Sequence, residues 1–146
     1  MCARRYQISD DDLLSLVKKQ IGRVFIWFAD RVYYYLSLSE WKRFIAEDKT
    51  DMLEYIKEAR DCDDFALIFK AEMSKRYAIN GVGFVIGETI KPDKRKPIVH
   101  AWNILIVRRG IWNELWFLEP LNDHMAKAGK RVWLHNKYYH PTHIVF

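Results

Sequence analysis

The sequence has little glycine, proline or cysteine, and it has no long apolar run. Of its 146 residues, 6 are glycine and 4 are proline, and no internal repeat or low-complexity stretch occurs. This excludes collagen-like, linker-like and solenoid architectures. No stretch approaches the ~20 consecutive apolar residues of a membrane-spanning helix. The N-terminus also lacks an apolar segment after Arg4 and Arg5, so we expect neither a secretory signal nor a membrane partner.

The two cysteines, Cys2 and Cys62, are too few for a disulfide framework. A reducing, cytoplasmic location is therefore expected. A compact lone domain of this kind would also suit a virus-encoded or microbial accessory protein. Since Cys2 is next to the terminus, Cys62 is the thiol that calls for an explanation.

The composition is that of a folded domain with a basic surface. Half of the residues (50%) are hydrophobic and 15% are aromatic, which is incompatible with a disordered chain. The net charge is +5, but the basic residues are scattered, a pattern typical of a solvated surface. Nucleic acid is therefore not the expected partner. The length fits one domain over residues 1–146, and nothing in the sequence indicates an oligomeric state.

The predicted elements run from helices at the start to an antiparallel sheet at the end. We predict an N-terminal helix within 1–22, short strands and helices over 23–60, a helix over 61–77 and an antiparallel sheet over 83–146. The third of these segments is apolar on several sides, which is typical of a buried helix. The predicted fold class is α+β.

Cys62 lies at the predicted start of the buried helix. The free backbone N–H groups of a helix N-terminus favour negative charge and can form an oxyanion hole, which makes Cys62 a candidate nucleophile. Asp61, Asp63 and Asp64 flank it. They are ordinary helix-capping residues, but their charges oppose the formation of a thiolate, a conflict that a bound divalent cation would remove. The alternative is a small buried cysteine that only packs.

A glycine-containing turn predicts how two long strands pair. If the loop is Arg109-Gly110, Arg108 faces Ile111 and, further along the ladder, His100 faces Glu119. Directly opposed residues share a face, with Cβ atoms roughly 4.5–5.5 Å apart. A base beside the carboxylate that orients it is the arrangement that a thiol nucleophile requires. A three-residue loop or a bulge would offset the pair, and such a pair can also be surface decoration.

The chain order Cys62, His100, Glu119 resembles the papain-like and transglutaminase-like cysteine hydrolase superfamily. More narrowly, Asp61 to Ala66 and Glu119 to Asp123 resemble the agglutinin-related family of calcium-dependent cysteine protease domains, such as that of the Marasmius oreades agglutinin. The resemblance implies a papain-like core, in which a buried helix carries the nucleophile at its N-terminus and packs on an antiparallel sheet. It also implies a protease acting on a peptide or protein substrate, with a nucleophilic cysteine, a histidine as general base and acid, and a glutamate that orients the histidine.

The same resemblance implies a metal site. In that family the residues just after the nucleophile and after the acid hold calcium, which corresponds here to Asp63, Asp64, Asn122 and Asp123. Such hard oxygen ligands suit Ca²⁺ or Mn²⁺. Leu121 offers no side-chain oxygen where a polar residue would help.

Two alternatives to a protease stay open. An acyl transferase of the transglutaminase type, with an amine in place of water, would use the same three residues. A catalytically silent papain-like binding or structural module would keep the fold without the chemistry. Sugar binding is not implied, because the chain has no room for a separate lectin domain.

Overall fold

The computed structural model describes residues 3–146, and Cys2 lies outside them. Within those residues the fold is one mixed β-sheet of nine strands with three α-helices. None of these helices has the length and apolar character needed to cross a membrane. In chain order the elements are β1 Tyr6–Ser9, α1 Asp10–Gln20, β2 Phe25–Trp27, β3 Val32–Ser37, α2 Leu38–Glu47, a 3-10 turn Thr50–Met52, α3 Cys62–Tyr77, β4 Val82–Ile90, β5 Ile98–Arg109, β6 Trp112–Glu119, β7 His124–Lys127, β8 Val132–Leu134 and β9 Lys137–Val145.

The sheet is built around β5, its longest strand. The main strand order is β1-β3-β5-β4-β9-β2, while β6 pairs with β5, β7 with β6, and β8 with β9. Two of the pairings, β3 with β5 and β2 with β9, are parallel. The buried run of β5 from His100 to Val107 lies at the centre of the core, as expected for a strand covered on both faces.

The predicted fold class is contradicted by this architecture. The structure is mostly a large mixed sheet with few helices, rather than a papain-like α+β core with a helix on an antiparallel sheet. The N-terminal third alone contributes three strands, of which two enter the sheet in parallel. Such long-range pairings are not encoded in local periodicity, because strand propensity reports a half-buried environment and not a partner.

The helix α3 is fixed to the sheet near its N-terminus. The backbone N–H of Asp61 donates to Asp64 Oδ2 over 3.1 Å, which caps the helix start. Phe65, Ala66 and Phe69 are buried. Asn103 of β5 donates from Nδ2 to the carbonyl oxygen of Ala66 over 2.9 Å. The first turn of α3 is therefore held directly against the central strand.

The turn between β5 and β6 differs from the predicted one. Arg109 is opposite Trp112, so the two loop residues are Gly110 and Ile111. Gly110 has a φ of 60°. A type II′ hairpin turn requires positive φ at its first loop residue and favours glycine there, which explains why the loop begins at Gly110 and not one residue earlier.

This turn displaces the whole β5–β6 ladder relative to the predicted one. Asn103 is opposite Leu118, and the same register continued along the strands places Glu119 opposite Trp102. The predicted direct pairing of His100 with Glu119 is therefore wrong. The displacement moves the carboxylate by two residues along β5, and side chains two residues apart on a strand share a face. Both side chains consequently stay on the same side of the sheet.

We expect Gly87→Ala to destabilise the fold. A Cβ at this position would collide with the carbonyl oxygen of His140 and lie 2.6 Å from Cη2 of Trp102. Relieving such overpacking costs about 1–3 kcal/mol in the free energy of unfolding, which urea denaturation can measure. Gly129→Ala is the matched control, since its Cβ would lie 3.4 Å from Val132 Cγ2, and a change within about 0.5 kcal/mol is expected there. Equal effects of the two substitutions would contradict the prediction.

Candidate thiol site

Cys62 is the first residue of α3, and its thiol is half-buried and free of any disulfide. The first turn of a helix carries backbone N–H groups without a helical partner, and Cys62 is at this end of α3. The Cys62 side chain also lies close enough to His100 of β5 to contribute to raising the pKa of the imidazole. The structure thus brings together two predicted site residues that are 38 positions apart in the sequence.

His100 and Glu119 form a buried pair. Nε2 of the imidazole lies 2.6 Å from Oε2 of the carboxylate, and the two residues are 9% and 2% exposed. The contact is diagonal across the β5–β6 ladder, because the register places Glu119 opposite Trp102. Diagonal neighbours lie roughly 7–8 Å apart, within reach of long side chains. With Nε2 occupied by Glu119, Nδ1 is the ring nitrogen left for Cys62.

A third side chain, Tyr139 of β9, completes the buried cluster. Its hydroxyl donates to Oε2 of Glu119 over 2.6 Å, so the same carboxylate oxygen contacts both Tyr139 and His100. The other oxygen, Oε1, accepts a longer hydrogen bond of 3.4 Å from the backbone N–H of Leu121. Both oxygens of the Glu119 carboxylate are therefore hydrogen-bonded to protein groups.

Aromatic rings enclose this cluster. The indole of Trp102 lies at 24° to the imidazole of His100, with 6.0 Å between centroids, and its edge meets the ring of Tyr139 at 5.0 Å. The ring of Tyr139 in turn meets His100 edge-on at 5.8 Å. Gly87 of β4 is directly opposite His100 and leaves the space that the Trp102 ring occupies. Water is thereby kept from the His100–Glu119 pair on this side.

The environment of His100 favours its protonated form. Burial by itself lowers the pKa of this imidazole, but hydrogen bonds to Cys62 and Glu119, together with the negative charge of Glu119, outweigh it and raise the pKa to about 9. At neutral pH the ring therefore carries a proton. An imidazolium in this position can stabilise a thiolate at Cys62 and can donate a proton to a reacting atom.

The other two members of the cluster differ in charge at neutral pH: Glu119 is ionised and Tyr139 is uncharged. Burial acts to raise the pKa of Glu119, but the hydrogen bond and charge of His100 and the hydrogen bond from Tyr139 more than offset it, so the pKa lies below its ordinary value. Burial and the neighbouring charge of Glu119 raise the pKa of Tyr139. The carboxylate is thus ionised and the phenol is a permanent donor at neutral pH.

The residues predicted to hold Ca²⁺ or Mn²⁺ do not form one cluster. Among the described residues, a single group of three or more acidic, histidine or cysteine side chains has all its ligand atoms within 4.8 Å, and it consists of Asp61, Cys62 and Asp63. Asp64 is engaged in capping α3. A hydrogen bond from the neighbouring carboxyl of Asp61 raises the pKa of Asp63, so these two carboxyl groups share a proton more readily than isolated ones.

The remaining predicted ligands face elsewhere. Asn122 Oδ1 accepts from the backbone N–H of His124 over 3.1 Å and so stabilises its own turn. Burial and the charges of Asp51 and Asp48 raise the pKa of Asp123 to about 7. Metal binding at these residues stays a prediction from the sequence.

Tyr139 is the site residue that sequence reasoning missed. It lies at the far end of the chain from Cys62, and it reaches Glu119 only because β9 pairs with β4 beside β5. Its alternation with Tyr138 along β9 gives one ring to the interior and one to the surface, which is a weak signal of burial but not of a partner. Tyr139 can be identified as a neighbour of Glu119 only once the pairing of β9 with β4 is known.

Two solved structures share this fold. One is described as a PSL1a-E64 complex, with 20% sequence identity, a TM-score of 0.71, and a match covering 96% of this chain and 51% of that chain. The other is described as Polyporus squamosus lectin bound to the human-type influenza-binding epitope Neu5Aca2-6Galb1-4GlcNAc, with 18% identity, a TM-score of 0.67, and coverage of 96% and 49%. This chain thus spans about half the length of either. No protein-family model and no curated protein matches the sequence.

These neighbours contradict the assignment to the papain-like superfamily and to its agglutinin-related protease family, since one of them is described as a lectin. The expected function as a papain-like cysteine protease, with its silent-module and acyl-transferase alternatives, is corrected on the same grounds. A lectin bound to a glycan also gives no support to a peptide or protein substrate. The likeness establishes the fold alone, and the cytoplasmic location and viral origin stay predictions.

The raised pKa of His100 predicts a pH dependence of stability. In the unfolded chain the imidazole titrates near its ordinary value of 6.5, whereas in the folded chain it titrates near 9. Its proton therefore stabilises the fold fully below pH 6.5, and this contribution is lost as the pH rises to about 9. The loss amounts to at most about 3 kcal/mol, measurable as a fall in the urea midpoint between pH 6 and pH 9.5.

Glu119→Gln should flatten this dependence, because it removes the charge that holds the proton on His100 while keeping the size of the side chain. The difference between the two proteins isolates the effect from other groups that titrate in the same range. Identical slopes for the two proteins between pH 6 and pH 9.5 would contradict the assigned role of the pair.

Proposed function

We propose that Cys62, His100 and Glu119 form a nucleophilic thiol site, in which the Cys62 sulfur attacks an electrophilic carbon. The observation that carries this proposal is the position of His100, which contacts the buried carboxylate of Glu119 over 2.6 Å and whose pKa the nearby Cys62 side chain raises. A thiol next to a base that a third group orients is the general arrangement of an activated nucleophile. The proposal concerns the chemistry of the thiol and names no peptide bond as substrate.

The reaction starts from an ion pair. In the proposed reaction the imidazolium of His100 stabilises the thiolate form of Cys62, which is the nucleophile. The sulfur forms a bond to the electrophilic carbon with its own electron pair. The electron pair of the broken bond passes to the leaving atom, and the imidazolium gives that atom its proton. Glu119 remains ionised throughout and holds the ring in place.

The position of Cys62 on the helix supports this chemistry. Cys62 is at the N-terminus of α3, where free backbone N–H groups can donate to an oxygen that becomes negative during the attack. The charges of Asp61 and Asp63 act in the opposite direction, but the hydrogen bond between their carboxyl groups lowers the cost of a proton there. A neighbour described as an E64 complex adds further support, since E64 carries an epoxide, an electrophile that thiolates open.

Selective covalent labelling tests the proposal. In a Cys2→Ser background, E64 and iodoacetamide should each add one equivalent to Cys62, as intact and peptide mass spectrometry would detect. The iodoacetamide rate at pH 7 should exceed that of a free cysteine derivative. His100→Asn should slow it by roughly 100-fold, in line with the loss of a base that acts on the nucleophile.

Two controls separate this effect from unfolding or from a general loss of histidine. Cys62→Ser should take up no label. His143→Asn removes an exposed histidine that stacks on Phe25 at 5.0 Å and should leave the rate unchanged. Labelling of Cys62 at the rate of a free cysteine derivative, with no response to His100→Asn, would refute the nucleophilic site.

A second candidate function is the binding of a sialylated glycan. The observation that favours it is the neighbour described as bound to Neu5Aca2-6Galb1-4GlcNAc, about half of whose chain corresponds to this one. Exposed aromatic rings, which sugars commonly stack on, are available at Phe25 and Trp27, whose exposures are 74% and 70%. This candidate is independent of the thiol chemistry.

Calorimetric titration with that trisaccharide tests glycan binding. If the chain binds it through the β2 rings, Trp27→Ala should abolish the heat signal, whereas Trp133→Ala, which removes an exposed ring of β8, should not. Cys62→Ser should bind as the wild type does, because the two functions use different residues. A flat titration at millimolar sugar would exclude this candidate.

A further inference from the structure

The structure assigns Tyr139 as a positioning residue of the thiol site: its hydroxyl fixes the Glu119 carboxylate and competes with His100 for the same oxygen. This inference rests on the proposed nucleophilic site and deepens it. The two donors approach Oε2 of Glu119 at equal distances of 2.6 Å. The strength of one hydrogen bond is therefore linked to the presence of the other.

The geometry leaves Glu119 a single orientation. The carboxylate is 2% exposed, so water cannot replace a lost donor, and its second oxygen has only the 3.4 Å contact with the backbone N–H of Leu121. Two short hydrogen bonds that converge on Oε2 from different strands fix the rotation of the carboxyl group. An oriented carboxylate in turn fixes the ring of His100, which lies near Cys62.

Within residues 3–146, the Tyr139 hydroxyl has one hydrogen-bond partner, the Glu119 carboxylate. The residue is fully buried, its ring is held at 5.0 Å from Trp102 and 5.8 Å from His100, and its backbone is paired with Thr89 of β4. A tyrosine that served only to fill the core would not need an ionised acceptor. The hydroxyl is instead directed at the one carboxylate that contacts the base.

The titratable groups that face His100 are few. They are Cys62 from α3, Glu119 from the end of β6 and Tyr139 from β9, while β4 places Gly87 opposite the histidine. The hydroxyl of Tyr139 withdraws part of the negative charge of Glu119 from His100. Removal of this hydroxyl should therefore strengthen the remaining hydrogen bond and raise the affinity of His100 for its proton.

Tyr139→Phe tests the inference, with Tyr138→Phe as the matched control. Tyr138 is the adjacent residue, and its ring packs on Trp133 at 5.0 Å and under the guanidinium of Arg131, away from the cluster. The pKa of His100 is measured as the midpoint of an NMR pH titration. The His100 resonance is assigned by its absence in His100→Asn. We expect an upward shift of about half a pH unit or more in Tyr139→Phe, and none in Tyr138→Phe. Equal midpoints in Tyr139→Phe and wild type would overturn the inference.

The same titration in a Cys62→Ser background separates the coupling of Tyr139 to His100 from the reactivity of Cys62. If Cys62 proves unreactive while Tyr139→Phe still shifts the His100 midpoint, the nucleophilic site fails as a function, but the coupling of Tyr139 to His100 stands. If Cys62 is reactive, the upper midpoint pH of its alkylation rate profile should rise in Tyr139→Phe by the same amount as the NMR midpoint of His100. An upper midpoint that stays in place while the rate merely falls would reduce Tyr139 to a packing role and overturn the inference.

A second variant keeps the test decisive if Tyr139→Phe does not fold. Site-specific incorporation of 3-fluorotyrosine at position 139 retains the ring and the hydroxyl and makes the phenol a stronger donor. The His100 midpoint should then move downward, opposite to the effect of phenylalanine. An unchanged or raised midpoint in the fluorinated protein would contradict the competition between the two donors.

Discussion

Burying a carboxylate costs free energy that only well-placed donors can offset, and the site is organised around this requirement at Glu119. The residue is 2% exposed, and its oxygens are satisfied by His100, by Tyr139 and by a backbone N–H. Each of these donors is supplied by a different part of the chain. The pairings of β6 with β5 and of β9 with β4 must therefore both form before the carboxylate can be buried without a large penalty.

The same pairings account for the position of the thiol. Asn103 lies three residues along β5 from His100, and it donates to the carbonyl oxygen of Ala66 in α3. One strand thus supplies both the contact that holds the helix of Cys62 and the histidine next to it. Gly87 belongs to this arrangement, because the Trp102 ring occupies the place of its missing side chain.

The part of the site that could be predicted from sequence is the part that depends on local signals. A glycine turn implies a hairpin, and the hairpin brings His100 near Glu119, although the loop begins one residue later than predicted and the contact is diagonal. The predicted proximity of the two side chains survives this error, because residues two positions apart on a strand point to the same face of the sheet. The mixed sheet, the separation of Asp123 from Asp63 and the role of Tyr139 depend on long-range pairing, for which neither periodicity nor turn chemistry carries information.

The charge states in the cluster decide how the thiol can act. The neighbours of His100 raise its pKa to about 9, which favours the imidazolium at pH 7. In the proposed reaction this imidazolium stabilises the Cys62 thiolate and acts as an acid on the leaving atom. The negative charge of Glu119 favours this charge state, and Tyr139 limits the effect by taking part of that charge.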